Sequence, residues 1–511
     1  MTTNTIGTSV PAAFQNRYNE LVGCLRLRDI TANEKEELDW LENHIGVEGY
    51  NPIEDNIPLN TDSYKPSHYL QVPSNTTGFY SYVESRGGKY TVTQFYGLQG
   101  FLKKYFSKRI TMRMINEAEK FLKEHGEPFN REGWEYIVNV HKGKLPLRIK
   151  AVPEGMLVPT HNVLMTIENT DPKCYWLVSY VETMVLRAIW YGTTVATQSW
   201  HIKQVIKQFL EETGDPNLIN FKLHDFGARG VSSQESAAIG GSAHLLNFMG
   251  SDTIAGALYL QQFYNANGMP AFSIPAAEHS TITSWGKDHE VDAYRNMLKQ
   301  FAKPGAFVAV VSDSYDIYNA CKIWGTELRD EVIASEAFIV VRPDSGHPST
   351  VVLKCAELLD EYFGSVINTK GYKVLNNVRV IQGDGINEQS IREILGELKS
   401  HGFSADIIAF GMGGALLQQV NRDTMRFAMK ASAAKIDGQW IDVFKDPVTD
   451  LGKRSKKGRL ELIRNAKGEL MTVSMDQAFG HEKLLELVWE NGELIRDMTL
   501  DEIRANGNKG V

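Results

Sequence analysis

Between about residues 220 and 415, seven apolar, β-rich pieces follow one another, and each runs into an acidic or glycine-containing turn: LHDFGARG, GSDTIAG, FSIPAAEHS, VAVVSDSYD, FIVVRPDSG, VRVIQGDG and IIAFGMGG. Most are followed by a helical stretch, and they recur about every 20 to 40 residues. Repeated strand–helix units of that length predict an α/β fold with a closed or nearly closed parallel β/α barrel. Active sites of such barrels lie at the C-terminal ends of the strands. Seven successive ends in Asp, Glu, His, Arg or Gly therefore mark a catalytic mouth rather than a series of turns.

The chain has 511 residues, enough for two or more packed domains. A barrel over 216–424 leaves 51–215 as an α+β domain, in which TGFYSYVES, LPLRIKAVP and NVLMTIENT read as strands and 425–511 completes the layer. Residues 1–50 read as a helical extension: Phe14, Tyr18, Leu21 and Leu25 fall at helical spacing, and Thr31 with Glu34 makes a capping box. A net charge of -8 argues against nucleic acid or an anionic membrane as partner. Cys24, Cys174, Cys321 and Cys355 are too few and too scattered for a disulfide framework. With a polar N-terminal stretch and no apolar run near the roughly 20 residues that span a bilayer, a cytoplasmic protein is expected.

The last strand end, Gly411-Met412-Gly413-Gly414, precedes ALLQQVNRDTM, which reads as a helix. Alone, such a turn is either an ordinary loop or an anion cradle. On the final strand of a barrel it matches the usual phosphate site, where backbone N–H groups and a helix start attract the anion. Arg422, Lys430, Lys445 and the run KRSKKGR at 453–459 supply further positive charge, which in an acidic chain suits a small polyanion. Asp313, Asp316, Asp344 and Asp384 would repel phosphates unless Mg²⁺ or sugar hydroxyls intervened. No zinc-site spacing, Gly-x-Ser-x-Gly elbow or Walker loop is present in the sequence. His279, between PAAE and a helix that Ser280 would cap, is read either as a hydrogen-bonded core residue or as a neutral imidazole that accepts a proton or phosphoryl group.

These segments resemble the nicotinamide phosphoribosyltransferases, of the type II phosphoribosyltransferase family, from about Asn56 to Ile503. The resemblance rests on TDSYKPSHY, VESRG, FYGLQ, KAVPEGMLVP, ENTDPKCYWL, KLHDFGARGVSSQE, GSDTIAG, PAAEHSTIT, WGKDHE, VSDSYDIYNAC, VRPDSGHP, RVIQGDG, GGALLQ, NRD, VFKDPV and KRSKKGRL. It implies an irregular barrel packed on an α+β domain and a homodimer with active sites shared between chains. It also implies a pentosyl transfer from 5-phosphoribosyl-1-pyrophosphate (PRPP) to nicotinamide, with Mg²⁺ and with ATP as co-substrate or activator.

By motif, Phe226 and the partner chain's Tyr64 sandwich the nicotinamide ring, Asp252 accepts from its carboxamide, and Arg342 approaches the amide or a phosphate. Asp344, Gly383 and Asp384 match ribose-binding positions, and Gly413 and Gly414 match the 5-phosphate turn. Arg229 meets phosphate oxygens together with Arg86, Arg422, Lys430 and Lys445 of the other chain, and Ser273 and Arg379 are grouped with the PRPP-binding residues. Asp313 lies near the Mg²⁺–pyrophosphate, directly or indirectly, and His279 matches the histidine phosphorylated by ATP. Ala228, Met412 and Ala428 depart from the family's Tyr, Ser and Ser. The alternatives are a nicotinate-using relative, disfavoured by the charge of Asp252, and a non-catalytic protein on the same fold.

Overall fold

The structure is a computed structural model and describes residues 17–18, 20–21, 31–34, 36–38, 50–449 and 454–507. Six parallel strands form the barrel wall: β1 (Leu223–Asp225), β2 (Gly250–Ser251), β3 (Phe307–Val311), β4 (Phe338–Arg342), β5 (Val378–Gln382) and β6 (Ile408–Met412). They are hydrogen-bonded in the order β2-β1-β6-β5-β4-β3. The third of the seven β-rich pieces makes no full strand. It bridges the two outer strands instead, pairing Phe272 with Gly250 and Ala276 with Ala309, and so closes the ring. Pro270 and Pro275 explain the thin pairing, because a prolyl nitrogen has no hydrogen to give a ladder.

Side chains alternate along these strands. Val308, Val310, Ile339, Val341 and Phe410 face outward into a core shared with the surrounding helices, while Ala309, Val340 and Ile381 meet inside the ring with Phe226, Ile274 and Ala409. Near-continuous β-branched runs suit strands buried on both faces. Small residues inside, Ala309, Ala409 and Gly411, leave the upper barrel open enough to seat an aromatic ring.

The second layer is an antiparallel sheet built from both ends of the chain. Its order is Gln439–Asp442, Phe427–Ile436, Thr76–Ser85, Val163–Asn169, Leu147–Ala151, Glu486–Glu490 and Glu493–Leu494. The 32-residue helix Glu182–Thr213 ties it to the barrel. Thr193 and Thr197 on this helix accept the backbone amides of Tyr96 and Gln94 at 3.2 and 2.9 Å. Buried Glu154 adds a second tie, accepting from the amides of Gly97 and Gln99 and from Tyr264 of the barrel domain.

Near the N-terminus, Thr31 and Glu34 cap each other reciprocally, and Arg17 reaches across to Glu37. Phe14, Leu25 and Cys24 lie outside the described residues. Cys174, Cys321 and Cys355 are buried free thiols. Among the described residues no helix is long and apolar enough to cross a membrane.

Candidate active site

Immediately beyond β1, the amide of Phe226 donates to the carbonyl of Met412 at 3.0 Å, which turns the ring over β6. Gly411 makes room for it: a Cβ there would stand 1.9 Å from Phe226 Cε2. Gly383, at the end of β5, faces the same ring and the side chains of Arg342 and Asp344. The Arg342 guanidinium lies 5.8 Å from the ring centroid and grips Asp344 through Nε and Nη2 at 2.8–3.1 Å. Four strand ends thus converge on one aromatic face.

Asp252 follows the end of β2, its amide bonded at 2.9 Å to the carbonyl of Asp225, the residue that precedes Phe226. Ser273 donates to Asp252 Oδ1 at 2.7 Å. The closing segment of the barrel thus turns Ser273, grouped by resemblance with the PRPP-binding residues, toward Asp252. Sequence reading also passed over Asp225, although it directly precedes Phe226 at a strand end. Its Oδ1 accepts from the Gly227 amide at 2.7 Å, fixing the turn that aims the ring. Burial, with the nearby charge of Asp252, pushes the Asp225 carboxyl up to about 6.

That shift carries a pH prediction. Between about pH 4 and 6 the folded chain keeps a proton on Asp225 that the unfolded chain has released. Stability therefore falls as pH rises through this window, by on the order of 3 kcal/mol once complete. Asp225→Asn should remove the slope, so that the variant melts above the parent at pH 7 and the gap closes below pH 4. Calorimetric Tm across that range checks it, and parallel pH profiles would contradict it.

On the far side of the mouth, Asp313 accepts from His279 Nε2 at 2.9 Å, from the Asp344 amide at 3.0 Å and from Ser345 Oγ at 2.6 Å. Burial raises the Asp313 carboxyl, but the bonds from Ser345, His279 and the Asp344 amide outweigh it and hold the group below the usual carboxylate range. The imidazole is 48% exposed while Asp313 is 4% exposed, so a buried acid orients an accessible histidine. His279 is itself the first residue of a five-residue helix. Glu278, rather than Ser280, caps that helix, and Ser280 bonds to Glu278. Asp316 also differs from expectation: it caps the helix Ile317–Gly325 by accepting from Tyr318 and Asn319.

The phosphate-type turn lies against the Phe226 loop, with Gly230 closely approaching Gly414 and Gly227 approaching the Gly413 carbonyl. Exposed Arg229 sits in this loop, and Asp384 is exposed at the neighbouring end of β5. The expected helix ALLQQVNRDTM is a single turn, Gly414–Leu417, because the amides of Gln418 and Gln419 both fold back to Gly414 and Asn421 then caps a new turn. Met412 is buried in the outer core, so its departure from the family pattern does not reach the anion turn.

Arg379 lies elsewhere. It is the second residue of β5, at the end opposite the mouth, where it donates to the carbonyls of Leu375 and Val378 and stacks over Phe338. A phosphate role for it is corrected accordingly. Three of the remaining basic candidates, Arg86, Arg422 and Lys430, lie near one another at the antiparallel sheet. Burial, and then Arg86, Lys65 and Arg422, push the Lys430 ammonium down against the opposing pull of Glu182. Arg86 Nε meets Glu84 at 2.9 Å, and its Nη2 is buried without a hydrogen-bond partner among the described residues. Tyr64 is 54% exposed, and its ring touches Lys65 and His68 rather than Phe226. Lys445 is exposed on a separate loop.

Comparison with solved structures places this architecture. A nicotinate-nucleotide pyrophosphorylase from Pyrococcus furiosus superposes with TM-score 0.59 at 17% identity, covering 90% of this chain and 96% of that one. Human nicotinic acid phosphoribosyltransferase gives 0.54 at 15%, covering 88% and 93%. The fold is that of the type II phosphoribosyltransferases. Residues 221–492 match the nicotinate phosphoribosyltransferase (NAPRTase) family, and residues 56–149 match the nicotinamide phosphoribosyltransferase N-terminal domain. A nicotinamide phosphoribosyltransferase of Xanthomonas campestris is 57% identical over 89% of this chain and 98% of its own length. Those of Acinetobacter baylyi and Mycoplasma pneumoniae are 31% and 34% identical, over 88% and 79% of this chain and 96% and 95% of their own lengths. The chain belongs to the nicotinamide phosphoribosyltransferase family.

Proposed function

We propose that the protein joins nicotinamide to PRPP, giving nicotinamide mononucleotide and pyrophosphate. The observation that carries this reading is Asp252, a carboxylate braced by Ser273 and tied through its amide to Asp225, the residue that precedes Phe226. A carboxylate accepts from the NH₂ of a carboxamide and repels a carboxylate substrate, which sets nicotinamide apart from nicotinate. The flat heteroaromatic ring stacks on Phe226. Gly413 and Gly414 offer backbone amides to the 5-phosphate, with Arg229 beside them, and Asp344, Gly383 and Asp384 face the ribose. Pyrophosphate leaves C1 of the ribose while the pyridine nitrogen attacks the opposite face. Positioning and cationic groups carry the catalysis, and no protein nucleophile is needed.

The pyrophosphate side needs more positive charge than the barrel mouth supplies. Arg86, Arg422, Lys430 and Lys445 suit that need from a second copy of the chain, which would also bring Tyr64, whose ring touches Lys65 and His68 within one chain, to the other face of the nicotinamide ring. A homodimer with shared sites follows from this reading.

Asp313 fits Mg²⁺ through a bound water. Of its roughly four acceptor positions three are taken, one on Oδ1 and two on Oδ2, which leaves one on Oδ1. Mg²⁺ keeps several waters when held by a single carboxylate, and when bound it would neutralise leaving-group charge.

His279 is the proposed site of ATP coupling. A carboxylate is a pure acceptor, so Asp313 fixes the proton on Nε2 and leaves the Nδ1 lone pair to accept a phosphoryl group. His279→Ala should retain basal synthesis and lose ATP stimulation; stimulation equal to the parent's would refute the role. The function as a whole is tested by incubating purified protein with PRPP, Mg²⁺ and nicotinamide and measuring mononucleotide and pyrophosphate. Equal amounts of both products are expected, whereas a non-catalytic protein on this fold would form neither.

A further inference from the structure

A second cavity, of about 530 Å³, opens on the outside of the barrel. Its walls are the C-terminal half of the helix Glu182–Thr213, the stretch leading into β2, and the helix Leu500–Asn506. None of the mouth residues lines it. Asn220 and Met249, on its border, precede β1 and β2 and so lie toward the opposite end of those strands from Asp225 and Asp252.

Three cations meet in this cavity, Lys203, Lys207 and Arg504. Burial, followed by the charges of Arg504 and Lys207, pushes the Lys203 ammonium down to about 8. Among the described residues Lys203 has no carboxylate partner, and its Nζ lies 5.9 Å from the centre of the Phe248 ring. Arg504 uses Nε and Nη2 on the carbonyls of Leu245 and Pro270, which hold its guanidinium in place. Two carboxylates act on the edges of the group: Glu211, 3.6 Å from Lys207 on an exposed surface, and Asp501, whose charge reaches Arg504. Like charges brought together in a half-buried space destabilise one another unless an anion joins them. The volume falls in the range of small-molecule sites, and Trp200 adds an apolar ring face.

We propose that this cavity binds a phosphate monoester of mononucleotide size, with the phosphate on Lys203, Lys207 and Arg504 and the base against Trp200. The site is separate from the transferase mouth and does not depend on the reaction assigned there. Its wall runs directly into β2: the Met249 carbonyl accepts from the Phe272 amide at 2.7 Å, three residues before Asp252.

Calorimetric titration of the full-length protein with AMP, and separately with inorganic phosphate, tests the assignment. Lys203→Met keeps the aliphatic stem and removes the charge, exposed Lys207→Met serves as a second variant, and Lys430→Met marks binding at the transferase site. One AMP site should persist in Lys430→Met and weaken about tenfold or more in both Lys203→Met and Lys207→Met, as expected for loss of a charge-assisted contact. AMP binding that is absent from the parent, unchanged in folded Lys207→Met, or abolished by Lys430→Met alone would overturn the proposal. Inorganic phosphate binding as tightly as AMP would overturn the nucleotide assignment.

Discussion

Replacing Gly411 by alanine is expected to lower kcat/KM for nicotinamide by about 100-fold, the loss that an ångström of misplacement at a reacting centre can cause. The new Cβ would lie 1.9 Å from Phe226 Cε2 and 2.1 Å from Cδ2, against the 3.4 Å or more of an ordinary contact. The ring has to move by more than an ångström, and it moves into the slot reserved for the substrate. The chain has an easier way to accommodate the methyl than to unfold, because the Phe226 side chain is only half-buried. Melting temperature should therefore change far less than activity. Gly396→Ala is the control: its Cβ meets nothing within 4 Å on the helix Glu388–Ser400, and alanine there should be neutral or stabilising by up to about 1 kcal/mol. Full activity in a folded Gly411→Ala protein would show that Phe226 does not hold the ring.

Asp252→Asn is expected to lower kcat/KM for nicotinamide by on the order of 10- to 100-fold, since a hydrogen bond to a charged group contributes roughly 1.5–3 kcal/mol. The Ser273 hydroxyl already occupies one position on Oδ1, and an asparagine oxygen can take over that bond. What changes is the remaining atom, which becomes an NH₂ donor. Facing the carboxamide NH₂ of nicotinamide, a donor meets a donor, whereas facing a carboxylate it meets an acceptor. Discrimination against nicotinate should fall along with nicotinamide activity, while the KM for PRPP stays near the parent value because Gly413 and Gly414 are untouched. Steady-state kinetics with both pyridines check the prediction, and an unchanged ratio of kcat/KM values would remove Asp252 as the selector.

The barrel was legible because β3, β4 and β5 are β-branched runs and the strands end in residues with chemistry; Phe226, Asp252, Asp313 and Gly413 all fall at such ends. Other features depended on three-dimensional placement. Arg379 shares its segment with Gly383, yet four residues of strand at about 3.3 Å each put about 13 Å between them, so a shared motif is not a shared site. Ser273 sits in a segment whose prolines prevent a regular strand, and no alternation pattern could orient its side chain. The pairing of His279 with Asp313 joins positions 34 residues apart on separate turns. Gly411 looked like part of an anion-binding run, but its neighbour is an aromatic ring brought over from β1. The resemblance supplied the roles of Tyr64, Arg86 and Lys430; one chain shows Arg86 near Lys430 at the sheet and Tyr64 against Lys65 and His68.

The central claim is that this barrel mouth selects the uncharged amide. Its most direct test is a competition in one vessel, with equal concentrations of nicotinamide and nicotinate, limiting PRPP and Mg²⁺, and both mononucleotides quantified at low conversion. A carboxylate at Asp252 predicts nicotinamide mononucleotide in large excess, and nicotinate mononucleotide formed in equal or greater amount would contradict the account.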